Sequence, residues 1–335
     1  MDIFLDQNYQ DQFLVQQNIS GAFLQSSAWE KFLIAQGKNT WRFSFKEKEE
    51  LLGTCLLYEN KLFLGKSYLM AAKGPIFYKE LSETKKLELV ELFFSSIRDI
   101  TINTKKYQEL FFRIEPKSFF KIKELQRSLD IDPRETWITD INKPLSEILK
   151  ASHPKTRYNI ALAQKKGVEI SFSNDKKDIT IFLDLLNKTA QRQKIGIHPK
   201  EYFELWAETL FVDNFSELAI ASITGRPIAA SLMVCFGNIA TYVHGASDYA
   251  ARTTMAPHYL HWSCLKRYQE QAYKFYDWWG IAPQDGSKPS LEGVSRFKLG
   301  FAGERQAAPG TYDFIYEDSW YKAYQIFRKL RRSLK

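Results

Sequence analysis

The stretch ELAIASITGRPIAASLMVCFGNIATYVHGAS, residues 217–247, decides the fold of this chain. ELAIASI (217–223) has the apolar composition of a strand, and the TGRP that follows it is typical of a turn. AASLMVCFGN (229–238) and IATYVHGAS (239–247) have the same strand-like character. The stretch therefore predicts three consecutive strands.

A helix and a fourth strand follow. MAPHYLHWSCLKRYQEQAY (255–273) carries apolar residues at helical spacing. KFYDWWGIAP (274–283) is largely apolar and ends at a proline, which predicts a buried strand. The second half of the chain thus has the order strand, strand, strand, helix, strand.

The first half repeats this order. Its predicted elements are the strands WRFSF (41–45), LLGTCLLYEN (51–60) and KLFLGKSYLM (61–70), the helix ETKKLELVELFFSSIRDI (83–100) and the strand YQELFFRIEP (107–116). A mixed sheet with flanking helices, used twice, is typical of the acetyltransferase-like α/β fold in tandem. We predict two such domains, 1–140 plus 312–335 and 141–311, with a substrate cleft between or beside them.

More helices are predicted between and around the repeats. They are SSAWEKFLIAQ (26–36), SEILKASHPKTRYNIALAQKKGV (146–168, broken at Pro154), DITIFLDLLNKTAQRQKIG (178–196), HPKEYFELWAETLF (198–211) and SWYKAYQIFRKLRRSLK (319–335). The last is basic and amphipathic, and two placements suit it. We expect it to dock on the body of the protein through Trp320, Ala323, Tyr324, Phe327 and Leu330; the alternative is a helix lying on a membrane surface.

The charge balance is mildly basic, with 47 Lys and Arg against 39 Asp and Glu in 335 residues. This excess suits polyanions such as tRNA, an anionic lipid surface or a nucleotide sugar, or simply a solvated surface. The acidic, polar N-terminus predicts no signal peptide, and no window approaches the ~20 apolar residues of a membrane span. We expect a cytoplasmic protein that acts near the inner face of the membrane.

Several chemical classes lack their motifs. Cys55, Cys235 and Cys264 show no CxxC spacing, and we expect Cys55 and Cys235 to be buried. His258 and His261 lack the acidic pattern of a zinc helix, and no GxSxG elbow is present. The sequence therefore predicts no metal site, no bound cofactor and no Ser-His-Asp hydrolase.

The acyl-CoA device of acetyltransferases is also missing. That fold holds the pyrophosphate of CoA with a glycine-rich turn at a helix N-terminus. The corresponding junctions here read AAKGPIFYKELSE (71–83) and ASDYAARTTMAPHY (246–259). Neither is such a turn, which indicates a different acyl donor.

Eight segments together resemble the Fem family (FemABX), the non-ribosomal peptidyltransferases that build peptidoglycan cross-bridges. They are QSSAWEKF (25–32), AAKGPIF (71–77), LFFRIEP (110–116), KTRYNIALAQKKGV (155–168), QRQKIGIHPKEYF (191–203), YVHGASDYAARTTMAPHYLHW (242–262), FYDWWGI (275–281) and GVSRFKLGF (293–301). The chain is most similar to compact, FemX-like members, because residues 168–217 leave no room for a coiled-coil arm.

The resemblance implies a reaction. An amine of the stem peptide, on UDP-MurNAc-pentapeptide or lipid II, attacks the ester carbonyl of aminoacyl-tRNA. The enzyme must position two substrates, stabilise an oxyanion and remove a proton from the attacking ammonium.

The same resemblance implies site residues. Lys298, in Arg-Phe-Lys, would stabilise the tetrahedral intermediate, and Glu115 would orient or deprotonate the acceptor amine. Lys31 would hold the acceptor diphosphate. Arg113 lies two residues before Glu115 on the same strand face, where the two side chains could instead form a salt bridge.

Further candidate substrate ligands come from the second half. His198 stands where compact relatives carry a phosphate-holding arginine, and because histidine is mostly neutral at pH 7, Arg192 or Lys194 could compensate. Tyr202 would supply a hydrogen bond. His244, near Tyr242, stands where relatives have tyrosine; both are candidate ligands, with an interior histidine as the alternative for His244.

For tRNA, the basic helix with Lys155, Arg157, Lys165 and Lys166 is a candidate phosphate-binding surface, with a solvated face as the alternative. Two further candidates, with the same alternative, are Lys266-Arg267 and the terminal residues Arg328, Lys329, Arg331 and Arg332. Two other functions stay open on the sequence: an acyl-CoA-dependent N-acyltransferase acting on a small amine or sugar, and a non-catalytic protein that binds RNA or a cell-wall precursor. We expect a monomer with no stable DNA partner.

Overall fold

The computed structural model of the protein describes residues 2–6, 8–102, 108–118, 122–193 and 196–333. Two compact units make up the chain. The first comprises residues 1–17, 24–134 and 308–335, and the second comprises residues 18–23 and 135–307. The strand Glu135–Asp140, which the sequence-based boundary gave to the first domain, pairs in the sheet of the second unit.

The strands confirm the predicted order in each half. They are β1 (Asp2–Leu5), β2 (Thr40–Glu47), β3 (Glu50–Lys61), β4 (Lys66–Ala71), β5 (Ile76–Phe77), β6 (Gln108–Ile114), β7 (Leu125–Arg127), β8 (Glu135–Asp140), β9 (Glu169–Ser173), β10 (Ser216–Ile223), β11 (Arg226–Phe236), β12 (Ile239–Ser247), β13 (Phe275–Gly280), β14 (Glu304–Ala307) and β15 (Tyr312–Ile315). The predicted strand over 61–70 starts later, at Lys66, because residues 62–65 form the turn between β3 and β4.

The α-helices also follow the sequence closely. They are α1 (Asp11–Gln17), α2 (Ser27–Ala35), α3 (Glu83–Ile102), α4 (Leu145–Ala151), α5 (Pro154–Lys165), α6 (Ile179–Gln193), α7 (Lys200–Leu210), α8 (Ala256–Glu270), α9 (Glu292–Lys298) and α10 (Asp318–Ser333). Ser26 caps α2 by accepting a hydrogen bond from the Trp29 backbone N–H at 3.2 Å. Pro154 begins α5, where its missing N–H costs nothing.

The first unit is built on a mixed sheet with the strand order β1-β2-β3-β4-β6-β15-β7, to which β5 adds beside β3. β2, β3 and β4 are antiparallel neighbours, and α3 crosses over to bring β6 parallel to β4. Phe93 of α3 lies at the centre of the core, with its ring edge-to-face against Phe43, Phe45 and Phe112 at 5.0–5.7 Å.

The second unit repeats this topology. Its sheet has the order β14-β8-β13-β12-β11-β10-β9; β10, β11 and β12 are antiparallel, and α8 crosses over to bring β13 parallel to β12. Trp278 of β13 is fully buried and packs on Phe301 at 4.4 Å and on Tyr276 at 4.9 Å. The prediction of two mixed sheets with flanking helices, one in each half, is confirmed.

The parallel pair of the second unit separates early. β12 and β13 pair only over Ile239–Thr241 and Phe275–Asp277. Beyond this point β13 bulges against β8, and Trp279 takes a left-handed backbone with φ +59°. Such a conformation is costly for a large side chain and clusters at functional sites. The point where β12 and β13 separate is therefore a candidate functional site.

The helix α10 corrects the expected docking face. Tyr321 and Tyr324 are buried against the first unit, and Tyr324 was predicted correctly. Phe327 and Leu330, also expected in the docked face, are 52% and 58% exposed. The helix therefore packs on the core through Tyr321 and Tyr324 and not through Phe327 and Leu330.

All three cysteines are free and buried, as expected for Cys55 and Cys235. Of the helices that the structure describes, none is both long and apolar enough to span a membrane.

Candidate active site

Lys298, the last residue of α9, is the main candidate catalytic side chain. It is only 6% exposed, and its Nζ donates a hydrogen bond to the Gly280 carbonyl oxygen at 2.8 Å. The same nitrogen lies 5.1 Å from the ring centroid of Tyr242. Burial lowers the pKa of Lys298 to about 7, although the nearby Asp277 carboxylate opposes the shift. At neutral pH this amine therefore exists in both its protonated and neutral forms.

Asp277 is the charged neighbour of this lysine and is fully buried. Its carboxylate accepts hydrogen bonds from the Ser20 hydroxyl at 2.6 Å, from the Trp279 backbone N–H at 2.8 Å and from the Thr136 hydroxyl. Three donors hold the carboxylate in one orientation and compensate its burial. Asp277 therefore supplies a fixed negative charge beside the amine.

The backbone between these two residues shapes the site. Asp277 is the last residue of β13 that pairs with β12, and Trp279 then adopts its left-handed conformation. The Gly280 carbonyl follows directly and accepts from Lys298. The bulge thus turns a strand carbonyl toward the lysine, and an incoming oxyanion would compete with that neutral oxygen for the ammonium.

One buried histidine, His261, and one partly buried histidine, His258, border the site. The His261 ring lies 4.3 Å from that of Tyr242, and its Nδ1 lies 2.6 Å from the Tyr276 hydroxyl oxygen. Burial, with smaller contributions from Lys298 and His258, lowers the pKa of His261 to about 3. Both rings are neutral at physiological pH, because burial also lowers the pKa of His258, to about 4. In the described ranges no group of three or more His, Cys, Asp and Glu side chains is arranged to hold a metal ion.

Tyr242 and His244 point to opposite faces of the second sheet. A register shift between β11 and β12 pairs Tyr242 with Met233 and His244 with Leu232. Leu232 and Met233 are consecutive in β11 and face opposite sides of the sheet, so their partners Tyr242 and His244 do as well. Tyr242 packs over Gly245, where a Cβ would overlap its hydroxyl. Burial raises the pKa of Tyr242 to about 12, so the phenol stays protonated.

His244 belongs to a separate aromatic cluster. Its ring lies 5.4 Å from Phe203, 5.6 Å from Trp206 and 6.2 Å from His198. His198 is exposed and stacks on Tyr202 at 4.1 Å with an interplanar angle of 15°. Burial, with a smaller contribution from His198, lowers the pKa of His244 to about 3. The structure therefore brings three predicted residues together: His198 stacks on Tyr202, and both rings lie edge-to-face with His244.

The remaining second-unit candidates lie on helices. Arg192, in the last turn of α6, lies 4.8 Å from the Tyr249 ring. Lys194, the alternative to Arg192, lies outside the described residues. Lys155 and Lys165 are exposed on α5, whereas Lys166 donates to the Thr253 carbonyl at 2.6 Å. Arg157 is half-buried and donates to the carbonyls at the end of α4, so part of its charge serves to cap that helix.

Glu115 lies in the first unit at 3% exposure. Its Oε1 accepts from the Thr311 hydroxyl at 2.7 Å and from the Asp132 backbone N–H at 2.9 Å. Its Oε2 is buried and has no hydrogen-bond partner among the described residues. An unsatisfied buried carboxylate oxygen is costly and fits a position that the donor group of a bound ligand would occupy.

Arg113 does not pair with Glu115. The fully buried guanidinium donates to Asp313 at 2.7 and 2.8 Å and to the Ser128 hydroxyl at 3.1 Å. The salt bridge considered from the sequence therefore has a different carboxylate, because β15 pairs with β6 and places Asp313 opposite Arg113. A role as substrate ligand does not fit this burial. Lys31, by contrast, is exposed on α2 of the same unit.

Sequence reasoning missed Asp277, Trp279 and the Gly280 carbonyl. One signal was present: FYDWWG places a carboxylate inside an otherwise apolar, buried strand. Such a carboxylate needs donors and marks a special position. The backbone turn at Trp279 leaves no trace in composition or periodicity.

The chain matches the model of the FemAB family over residues 5–143, 125–226 and 224–329. It is 23% identical over 240 residues to a lipid II:glycine glycyltransferase of Staphylococcus epidermidis, covering 66% of this chain and 56% of that protein. With the lipid II:glycine glycyltransferase of Staphylococcus haemolyticus it shares 22% over 233 residues, covering 66% and 55%. The chain spans about half the length of these curated relatives.

Solved structures show the same fold. The crystal structure of FemX matches with a TM-score of 0.80 at 17% identity, over 96% of this chain and 99% of that one. The structure of L-PGS from Bacillus licheniformis matches with a TM-score of 0.52 at 13% identity, over 85% and 90%. At these identities the likeness concerns the fold.

Proposed function

The chain belongs to the FemAB family, and from that premise we propose that it transfers an amino acid from aminoacyl-tRNA onto the stem peptide of a peptidoglycan precursor. The acceptor is UDP-MurNAc-pentapeptide or lipid II, and the names of the glycyltransferase relatives favour lipid II. The observation that carries the proposal is Lys298, a buried amine beside a fixed carboxylate and a turned backbone carbonyl. Ester aminolysis needs a positive group of this kind and no cofactor.

In the proposed aminolysis, Lys298 acts on the oxyanion. The acceptor amine attacks the ester carbonyl carbon, and the carbonyl electron pair moves to oxygen. Protonated Lys298 then donates to that oxyanion instead of to Gly280. Collapse breaks the bond to the tRNA ribose oxygen, which takes up a proton as the attacking nitrogen loses one. In the first unit, the unsatisfied Oε2 of Glu115 suits an ammonium, and we propose that it binds an amine of the acceptor.

The donor would be held through its phosphates. Lys155 and Lys165 present positive charge on the exposed side of α5, where Tyr158 is 65% exposed and available for stacking. Lys155 lies close enough to His258 to affect its pKa, and the His258 ring is 5.0 Å from Phe297, the neighbour of Lys298. A tRNA bound along α5 would thus meet the same side of the second unit that carries Lys298.

The proposed acceptor ligands differ in chemical type. Exposed Lys31 suits the diphosphate as a point charge, and the ring pair of His198 and Tyr202 suits a flat group. We place the working protein, as a monomer, in the cytoplasm near the inner face of the membrane.

The test is a transfer assay with separately charged tRNAs and with both acceptors. We expect label from one aminoacyl-tRNA to enter the stem peptide, with no dependence on CoA. Transfer from none of the charged tRNAs by well-folded protein, or transfer from acyl-CoA, overturns the proposal. Lys298→Met should lose most of the transfer activity. Lys176→Met, at an exposed lysine of the same unit, is its matched control.

A further inference from the structure

An apolar stripe on α10 faces away from the unit that carries the helix. Tyr321 and Tyr324 are 3% and 8% exposed and anchor the inner side. Ile326, Phe327 and Leu330 are 62%, 52% and 58% exposed. At 3.6 residues per turn, Ile326 and Leu330 share one side, nearly opposite the two tyrosines. The helix therefore has two apolar sides, and its own unit covers one of them.

The stripe continues onto the turn between β3 and β4. The Phe63 ring lies 5.2 Å from Phe327 and 6.4 Å from Trp320, which joins the turn to the helix. Leu64, at the tip of the turn, is 76% exposed. Leu64, Ile326, Phe327 and Leu330 thus form one outward surface, called here the α10 patch.

Basic residues surround this surface. From residue 319 to residue 333, α10 carries five basic and no acidic side chains in its sequence: Lys322, Arg328, Lys329, Arg331 and Arg332. Lys322 and Lys329 are exposed. On the turn side, Lys66 lies 4.6 Å from the Trp320 ring and Lys61 is exposed. The acidic residue of the helix, Asp318, stands in its first turn, away from the exposed stripe.

We propose that the α10 patch docks the protein on a bilayer that contains anionic phospholipid. The apolar side chains enter the interface between headgroups and acyl chains, while the basic rim binds lipid phosphates. A basic amphipathic helix with bulky apolar residues on one side suits this location. Charge complementarity decides between a membrane and a second copy of the chain, because a two-fold contact through this patch would bring two basic rims together.

This inference goes beyond the proposed function and does not rest on it. A docked protein would meet a lipid-linked acceptor at the surface where that acceptor resides. The binding itself needs no substrate, so it is measured apart from amino acid transfer.

The experiment is co-sedimentation of the full chain with vesicles of phosphatidylcholine alone and of phosphatidylcholine mixed with phosphatidylglycerol. We expect binding to the mixed vesicles, weakened by salt, and little binding to the neutral ones. Phe327→Ser/Leu330→Ser should lower the partition coefficient by at least about tenfold, because two apolar side chains no longer enter the interface. Ile34→Ser/Val212→Ser, at two residues that are each 54% exposed, is the matched control and should bind as wild type does.

The charge contribution has its own arm. Lys322→Glu/Lys329→Glu should weaken binding to the mixed vesicles and reduce its salt dependence, whereas binding to neutral vesicles stays low. If the double serine variant loses its circular dichroism signal, Ile326→Ser alone replaces it.

Three results would overturn the proposal: no sedimentation of wild type with the mixed vesicles, equal binding by the patch variants and wild type, or a concentration-dependent dimer that the serine substitutions abolish. The last result would give the patch to a second copy of the chain.

Discussion

The two halves share one topology, yet their parallel strand pairs end differently. In the first half β4 and β6 stay paired from Lys66 to Ala71, and the pair ends beside the buried ion pair of Arg113 and Asp313. In the second half β12 and β13 pair over three residues each, then part at the bulge that holds Lys298 against Gly280. The same architecture thus closes in one copy and opens in the other.

The two units also differ in how a buried cation, Arg113 or Lys298, is compensated. Arg113 meets a carboxylate directly, and although burial alone would lower its pKa, the hydrogen bonds to Asp313 raise it above the ordinary value. Lys298 meets a neutral carbonyl, with Asp277 near but bound to other donors, so burial lowers its pKa to about 7. Removing one partner of a buried ion pair is strongly destabilising, whereas a buried cation without a direct ionic partner has a shifted pKa that suits chemistry.

The largest effect is expected for Arg113 in the first half, where the parallel strands stay paired. Arg113→Met leaves Asp313 buried without its partner and should lower the free energy of unfolding by about 3–5 kcal/mol, measured by urea denaturation. Lys200→Met, at an ion pair with Glu204 whose two side chains are 64% and 41% exposed, is the control and should cost about 0–1 kcal/mol. If Arg113→Met instead abolished transfer with no loss of stability, Arg113 would be a substrate ligand after all.

Lys298→Met should have the opposite profile. Transfer should slow by about 10²–10³-fold, because one preorganised donor to the oxyanion is lost, while calorimetry shows acceptor binding unchanged.

The effect of Lys298→Met on the free energy of unfolding should have the opposite sign to that of Arg113→Met. Below the pKa of the unfolded lysine, near 10.4, the unfolded state binds a proton that the native state holds less tightly. The wild-type free energy of unfolding should therefore rise, relative to the variant, as pH increases from about 7 to about 10.4. A flat difference between the two proteins contradicts the low pKa.

Asp277→Asn tests what holds the lysine protonated. Asp277 raises the pKa of Lys298, so its neutralisation should shift the falling limb of the pH–rate profile, expected near 7, to lower pH. Asp140→Asn, at a carboxylate of β8 that is partly exposed, is the control and should leave the limb in place. A limb that stays put in Asp277→Asn would assign it to another group.

The smallest effect concerns the other face of the second sheet. His198 is a stacked surface ring, whereas an arginine at this position would carry a permanent positive charge. His198→Arg should tighten the binding of UDP-MurNAc-pentapeptide several-fold, if this face meets the phosphates, and leave the rate at saturating acceptor nearly unchanged. Unchanged affinity in calorimetry would remove this cluster from the acceptor site.

Much of the fold was readable from local pattern. The three strands of residues 217–247, the repeat in the first half and the break at Pro154 all reflect apolar spacing and turn chemistry, which act over a few residues. The importance of Lys298 came from the resemblance of GVSRFKLGF to the Fem family. Its environment did not, because Asp277 and Gly280 gain their meaning only where two strands part.

The sequence by itself determined the order of elements, the duplication and the absence of a glycine-rich turn for CoA, since each is written in neighbouring residues. Only the tertiary structure decided which cation is paired. Arg113 and Asp313 stand 200 residues apart, and Glu115 was the nearer choice along the chain. It also decided which side of α10 faces outward, because both sides are apolar and packing alone selects the tyrosines. Contacts between distant segments set the local dielectric, and the dielectric sets whether a lysine is ordinary or reactive.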